Sequence, residues 1–214
     1  MRRGSFAGRI KAVAAALAVL LPASVLLGGC GLLGSPRPPT ADAPIKLTVT
    51  SPVVSQGMLP ARFTCHGAGK SPPIFWSGAP PGTKSFAIVV DDSDAPIAPQ
   101  IYWIVFDIGP YTTYIQSNAV PPHELPPHAR VAQNSVGKAG YDPPCPREAR
   151  HFYRFTVYAL NTSLGKLLPA NPPLLETWTD IARHVIGRGT MTVQACPNGL
   201  PPSGGQCAST SSST

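Results

Sequence analysis

The sequence predicts a mainly β fold, a sandwich with Greek-key topology and one or two short helices. Three observations predict it. Short apolar runs rich in β-branched and aromatic residues recur along the chain. Proline and glycine, 27 and 20 of 214 residues, punctuate them closely. One segment, residues 174–186, carries apolar residues at helical spacing. Many short strands, frequent turn residues and one helix suit two packed sheets.

Taken in order, residues 46–51 alternate polar and apolar, the pattern of a strand with one wet face. Gln56 to Pro60 reads as a turn and Ala61 to Cys65 as a short strand. Ile74-Phe75-Trp76 is a buried strand between Gly- and Pro-rich connections. Ser85 to Pro96 reads S-F-A-I-V-V-D-D-S-D-A-P. Its five-residue apolar run suits a strand covered on both faces. It ends in Asp91, Asp92 and Asp94, at a mouth where a rigid scaffold can hold acidic groups against a cleft. Ile101 to Ile108 is the second strong strand. Pro110 to Ala139 is Pro-rich, with His123 and His128, and a loop of that length is commonly functional. His151 to Leu160 is the third strong strand, with Tyr153, Phe155, Val157 and Ala159 on one face. In the helix, Leu174, Leu175, Trp178, Ile181, Ala182 and Val185 share a stripe, and Gly187 and Gly189 mark its stop. Thr190 to Ala195 reads as the closing strand.

The N-terminal segment reads as an address. Arg2, Arg3, Arg9 and Lys11 precede an apolar run from Ala12 to Leu27, then Gly28-Gly29-Cys30. This is a secretory signal peptide over residues 1–29. Its run is short of the ~20 apolar residues that a spanning helix needs. A Cys after two Gly resembles the lipobox of bacterial lipoproteins, in which the Cys is acylated, with palmitate for example. Such an anchor contributes ~0.8 kcal/mol for each buried CH₂. The expected location is therefore the extracytoplasmic face of the bacterial cell membrane, with no protein partner specified. Residues 30–44 form the lipidated Cys and a flexible tether, 45–197 the folded domain and 198–214 a tail. Without the signal segment, 13 basic residues face 10 acidic ones, and the formal charge falls from +7 to +3. No basic run or basic–aromatic patch remains that would favour nucleic acid.

Cys65, Cys145, Cys196 and Cys207 are then an even number in an oxidising compartment. Cys196–Cys207 is the local pairing, which leaves Cys65–Cys145. A zinc site is the competing arrangement, but no pair shows the close spacing that zinc ligands usually have. Neither a metal nor a cofactor is expected.

Four ordered blocks now carry a resemblance: S-P-P-I-F-W at 71–76, the 85–96 stretch, G-Y-D-P-P-C-P at 140–146 and H-F-Y-R-F-T-V-Y-A-L at 151–160. Together with R-H-V-I-G at 183–187, they resemble the phosphatidylethanolamine-binding family, in its bacterial, Raf-kinase-inhibitor-like branch. The resemblance implies a β-sandwich with a small pocket for phosphate or a phospholipid headgroup. Carried over residue by residue, it implies a turn at Asp92-Ser93-Asp94-Ala95-Pro96, a loop containing Pro144, and a strand start with His151 and Tyr153. Imidazole and phenol can donate hydrogen bonds to a bound oxyanion, and a carboxylate beside the imidazole favours its charged form. The chain departs from the family pattern in three places. Tyr102 stands where a second His is usual, Pro143 replaces a small residue with an N–H, and Ser93 replaces a Pro. The pocket expected is thus Asp92, Asp94, Tyr102, Pro144, His151 and Tyr153, and it is less cationic than the pattern.

Two other classes stay open. Asp92 and His151 could serve a hydrolase as acid and base, but no G-x-S-x-G nucleophile motif or Gly-rich phosphate loop accompanies them. The residue 110–139 loop could instead make the chain an inhibitor or interaction module acting on a partner protein.

Overall fold

A computed structural model describes residues 43, 47–95, 100–119, 125–197 and 207. The signal peptide, Cys30, the tether other than residue 43, Pro96, His123 and the tail other than Cys207 lie outside the described residues. In chain order the strands are β1 (Thr48–Thr50), β2 (Ile74–Ser77), β3 (Ser85–Asp92), β4 (Gln100–Ile108), β5 (Tyr114–Ile115), β6 (Arg130–Val131), β7 (His151–Leu160) and β8 (Val185–Ala195). Helix α1 (Leu174–His184) precedes β8.

Two antiparallel sheets form the sandwich. One has the order β1-β2-β5 and the other β6-β4-β3-β7-β8. All eight residues of the central strand β3 are buried, because the larger sheet is covered twice. Phe86, Ile88 and Val90 face the smaller sheet, with Trp76, Trp103, Phe155 and Val157. Ala87 and Val89 face the opposite way, onto Tyr158, Leu160 and the α1 residues Trp178 and Ile181. Alternation on a strand thus becomes a continuous apolar run. Burial of each large apolar side chain contributes about 1.5–3 kcal/mol.

The structure corrects several expectations. Ala61–Phe63 is a 3₁₀ turn rather than a strand, closed by Thr64, whose N–H and hydroxyl both donate to the Ala61 carbonyl (3.0 and 2.9 Å). The residue 110–139 stretch is not all loop: it supplies the edge strands β5 and β6, too short to show a period. The helix stops at His184, and β8 starts at Val185, five residues before the expected Thr190. Val185 pairs with Leu160 and Gly187 with Ala159, so tertiary pairing captures the stretch that the helical stripe claimed. Gly189 is no helix stop. It lets the backbone approach Leu47, whose carbonyl oxygen would lie 2.0 Å from an added Cβ.

Two disulfides are present. Cys65–Cys145 joins residues 80 apart in sequence and Cys196–Cys207 residues 11 apart. The longer closed loop restricts the unfolded chain more. In the chain-entropy picture the first is worth about 4.5 kcal/mol and the second about 2.8 kcal/mol. Urea unfolding of Cys65→Ser/Cys145→Ser is therefore expected to show a larger stability loss than Cys196→Ser/Cys207→Ser. The reverse order would refute the loop-length account.

Candidate functional site

The β3–β7 ladder is regular from Ser85↔Leu160 to Asp92↔Tyr153. Asp92 therefore shares the inter-sheet face with Phe86, Ile88 and Val90, while His151 and Tyr153 share it with Phe155 and Val157. All three meet at one end of the sheet. His151 Nδ1 lies 2.7 Å from Asp92 Oδ2, with 30% of the imidazole side chain exposed and only 3% of the carboxylate. The ring can be reached from solvent, and its partner is tucked beneath it. The other Asp92 oxygen accepts the Asp94 N–H at 2.8 Å.

Asp94 is exposed and bonds across to the start of β7. Its Oδ2 accepts the Phe152 N–H at 2.8 Å, and the Ser93 N–H and hydroxyl both donate to the Phe152 carbonyl (2.9 and 3.0 Å). These bonds clamp the acidic turn to the strand start that carries His151. Asp94 thus positions the corner.

Tyr102 arrives by an irregularity. Val90 pairs with Trp103 and Asp91 with Ile101, so Tyr102 is the unpaired residue of a β-bulge. A bulge re-aims a side chain. Here it packs Tyr102 edge-to-face on Tyr153, ring centroids 5.4 Å apart. Tyr153 in turn lies roughly parallel to the His151 ring at 6.3 Å. The Tyr102 carbonyl, outside the ladder, accepts the Asp142 N–H at 2.9 Å and so ties the 140–146 loop to the corner. Tyr141 anchors that loop further: its hydroxyl donates to the Phe63 carbonyl at 3.0 Å, and its ring meets Trp103 edge-on at 5.6 Å. Pro144 is buried, and its carbonyl accepts the Cys65 N–H at 3.0 Å. The joint between loop and corner is Asp142, which sequence reasoning passed over, since nothing marked it apart from other turn acids.

Of the three strand-end carboxylates, Asp91 does not belong to this corner. It faces the opposite way and pairs with Arg154, whose Nε donates to Oδ2 at 3.0 Å. Burial raises the Asp91 carboxyl, against the lowering effect of the Arg154 hydrogen bond and charge. The sulfurs of Cys65 and Cys145 lie near His66, but both are bonded to each other, so neither is a thiolate ligand.

Electrostatically the corner is acidic below and phenolic above. Burial, then the Asp92 charge, pushes Tyr102 up to about 12. Tyr153 is raised as well, by burial first, then Tyr102 and Asp92. Both phenols thus remain protonated donors at neutral pH. With Asp92 ionised, Nδ1 carries a proton and donates to it, so Nε2 is left to meet a ligand. Neutral, Nε2 only accepts; protonated, it donates. Neither of two surface concavities, about 470 and 400 Å³, is lined by Asp92, His151 or these phenols.

A two-sheet sandwich with an Asp–His pair and two phenols at the end of its larger sheet defines the class. Residues 49–195 match the family model described as phosphatidylethanolamine-binding protein. The chain belongs to that family. A Mycobacterium tuberculosis (strain H37Rv) protein, named as a candidate lipoprotein LppC, is 35% identical over 185 residues, covering 78% of this chain and 88% of its own. A UPF0098 protein of Methanothermobacter thermautotrophicus is 39% identical over 109 residues, 51% of this chain and 72% of that one. Among solved structures, E. coli YbcL, described as a member of the mammalian PEBP family, superposes with a TM-score of 0.60 at 30% identity, over 70% of this chain and 97% of its own.

The raised phenols make a prediction. Tyr102 binds its proton more tightly folded than unfolded, so its contribution is complete below its ordinary value of 10.0 and is lost as pH rises through about 12. Folding stability should fall across that window, and less steeply in Tyr102→Phe. Parallel pH profiles for the two proteins would contradict this.

Proposed function

We propose that the domain is a binding module whose Asp92–His151 corner takes a phosphate-type oxyanion, free or as a phospholipid headgroup. The observation that carries this reading is the 2.7 Å contact between a buried carboxylate and a partly exposed imidazole. Held by Asp92, the ring presents Nε2 outward; protonated there, it donates to an oxyanion. The half-buried Tyr102 phenol stands nearby as a further donor, and the fully buried Tyr153 packs against both rings. Asp94 fixes the turn, and Pro144 belongs to the supporting loop. No group in the corner is an activated nucleophile. The Ser93 hydroxyl is spent on the Phe152 carbonyl, which favours binding over hydrolysis.

The likeness to LppC supports an export and anchoring role for residues 1–44, with Cys30 as the acylated residue and residues 45–197 as the module held outside the membrane. No described helix is long and apolar enough to cross a membrane. Cys30→Ala should move the protein from the membrane fraction to the soluble one.

Inorganic phosphate, titrated while NMR reports the His151 ring, should give saturable shifts at millimolar concentration or below. His151→Ala should abolish them at every site. Asp92→Asn should weaken binding by about 10-fold, the loss of one charge-assisted hydrogen bond. A silent His151 at millimolar phosphate removes the proposal.

A second reading has one observation in its favour. The 110–139 segment holds a concavity of about 470 Å³ lined by Tyr111, Tyr114, Pro126 and Pro127, and Tyr111 is 97% exposed. Exposed aromatics beside a groove suit a protein partner. Partner binding that survives His151→Ala but fails in Tyr111→Ala/Tyr114→Ala would select that reading.

A further inference from the structure

A second concavity, of about 400 Å³, opens elsewhere, at the foot of the disulfide-tied segment. Its size is that of a small-molecule site, roughly 300–1,000 Å³. Its walls come mostly from one stretch, residues 53–73, with Ser117 from beyond β5. Val53 follows β1, Phe63 comes from the 3₁₀ turn, and Ala68 and Pro73 precede β2. Those four side chains are apolar. Two cations, Arg62 and Lys70, and the polar Ser117 complete the lining. The Arg62 guanidinium stands 4.7 Å from the centroid of the Phe63 ring, and the ion pairs of the described residues include neither cation.

The walls are held in place without a ligand. Cys65–Cys145 ties one side to the 140–146 loop. Gly67 is pressed onto the turn so closely that a Cβ would lie 2.4 Å from the Ala61 carbonyl oxygen. Fully buried Ser71 takes three bonds from the wall opposite: its carbonyl accepts the Asn118 N–H (2.9 Å) and the Ser117 hydroxyl (3.1 Å), and its Oγ accepts the Ala119 N–H (3.0 Å). A preformed apolar hollow with two cations that have no carboxylate partner among the described residues suits one chemistry. An alkyl chain fills the hollow, and an anionic head meets Arg62 and Lys70.

We infer that this concavity is a binding site for a single-chain anionic amphiphile, separate from the Asp92–His151 corner and independent of what that corner binds. A fatty carboxylate and a lysophospholipid phosphate share this chemistry.

Calorimetry with the folded domain, below micelle-forming concentration, tests it. Dodecanoate, dodecyl phosphate and dodecyltrimethylammonium are the probes. At least one anion should bind saturably, one per chain, and at least 10-fold more tightly than the cationic probe. The tighter anion, carboxylate or phosphate, identifies the source. Val53→Trp, which fills the hollow, should abolish binding. Arg62→Gln/Lys70→Gln, which removes both cations and the contact of Arg62 with the Phe63 ring, should weaken it at least 10-fold. His151→Ala should leave it unchanged, which separates this site from the corner. Equal affinity for the cationic probe, no saturable binding of either anion, or full binding in the charge variant would each overturn the inference.

Discussion

The antiparallel pairing of β3 with β7 is the constraint on which the rest of this structure depends. It runs without interruption from Ser85↔Leu160 to Asp92↔Tyr153. Because side chains alternate strictly along a strand, that register decides which side chains meet. It sets Asp92 beside the start of β7 and on the face that carries His151 and Tyr153. A slip of one residue would turn Asp92 toward α1 and bring Asp91 to the corner in its place. It would also move Phe86, Ile88 and Val90 out of the inter-sheet core. The buried apolar faces therefore hold the polar corner in register.

The same alternation sorts the acidic strand end into two unlike ion pairs. Asp91, on the α1 side, is paired with Arg154, and Arg154 is raised chiefly by that hydrogen bond. A permanently charged guanidinium compensates one buried carboxylate and adds no titration near neutrality. Asp92, on the other side, has the partly exposed His151 imidazole as its partner. The first pair holds two strands together. The second leaves its imidazole partly exposed to solvent.

The third member of the corner comes from a departure from regularity. On the β4 side the ladder skips Tyr102, and this bulge turns the phenol onto Tyr153 while freeing its carbonyl for Asp142. The loop thus held is also fastened by Tyr141 to Phe63 and by Cys145 to Cys65. One loop therefore supports both the Asp92–His151 corner and the wall of the cationic concavity, although the two share no lining residue.

By itself, the sequence determined the strong strands and the helical stripe, because continuous apolar runs and amphipathic periods are local properties. The continuation of β3 through Asp91 and Asp92 was not legible, but its apolar run Phe86–Val90 was legible down to single residues, as were the strand over residues 151–160 and its faces. So was the resemblance that brought Asp92, His151 and Tyr153 together as candidates. Short edge strands such as Tyr114–Ile115 were not legible, since two residues carry no period. Nor was the end of α1, because the pairing of Val185 with Leu160 is a contact across the sheet. Only the tertiary structure decided that Asp91 and Asp92 part company, that Tyr102 sits in a bulge and that Asp142 links loop to corner. Each of these depends on register between segments distant in sequence, and register is set by the packing of whole faces.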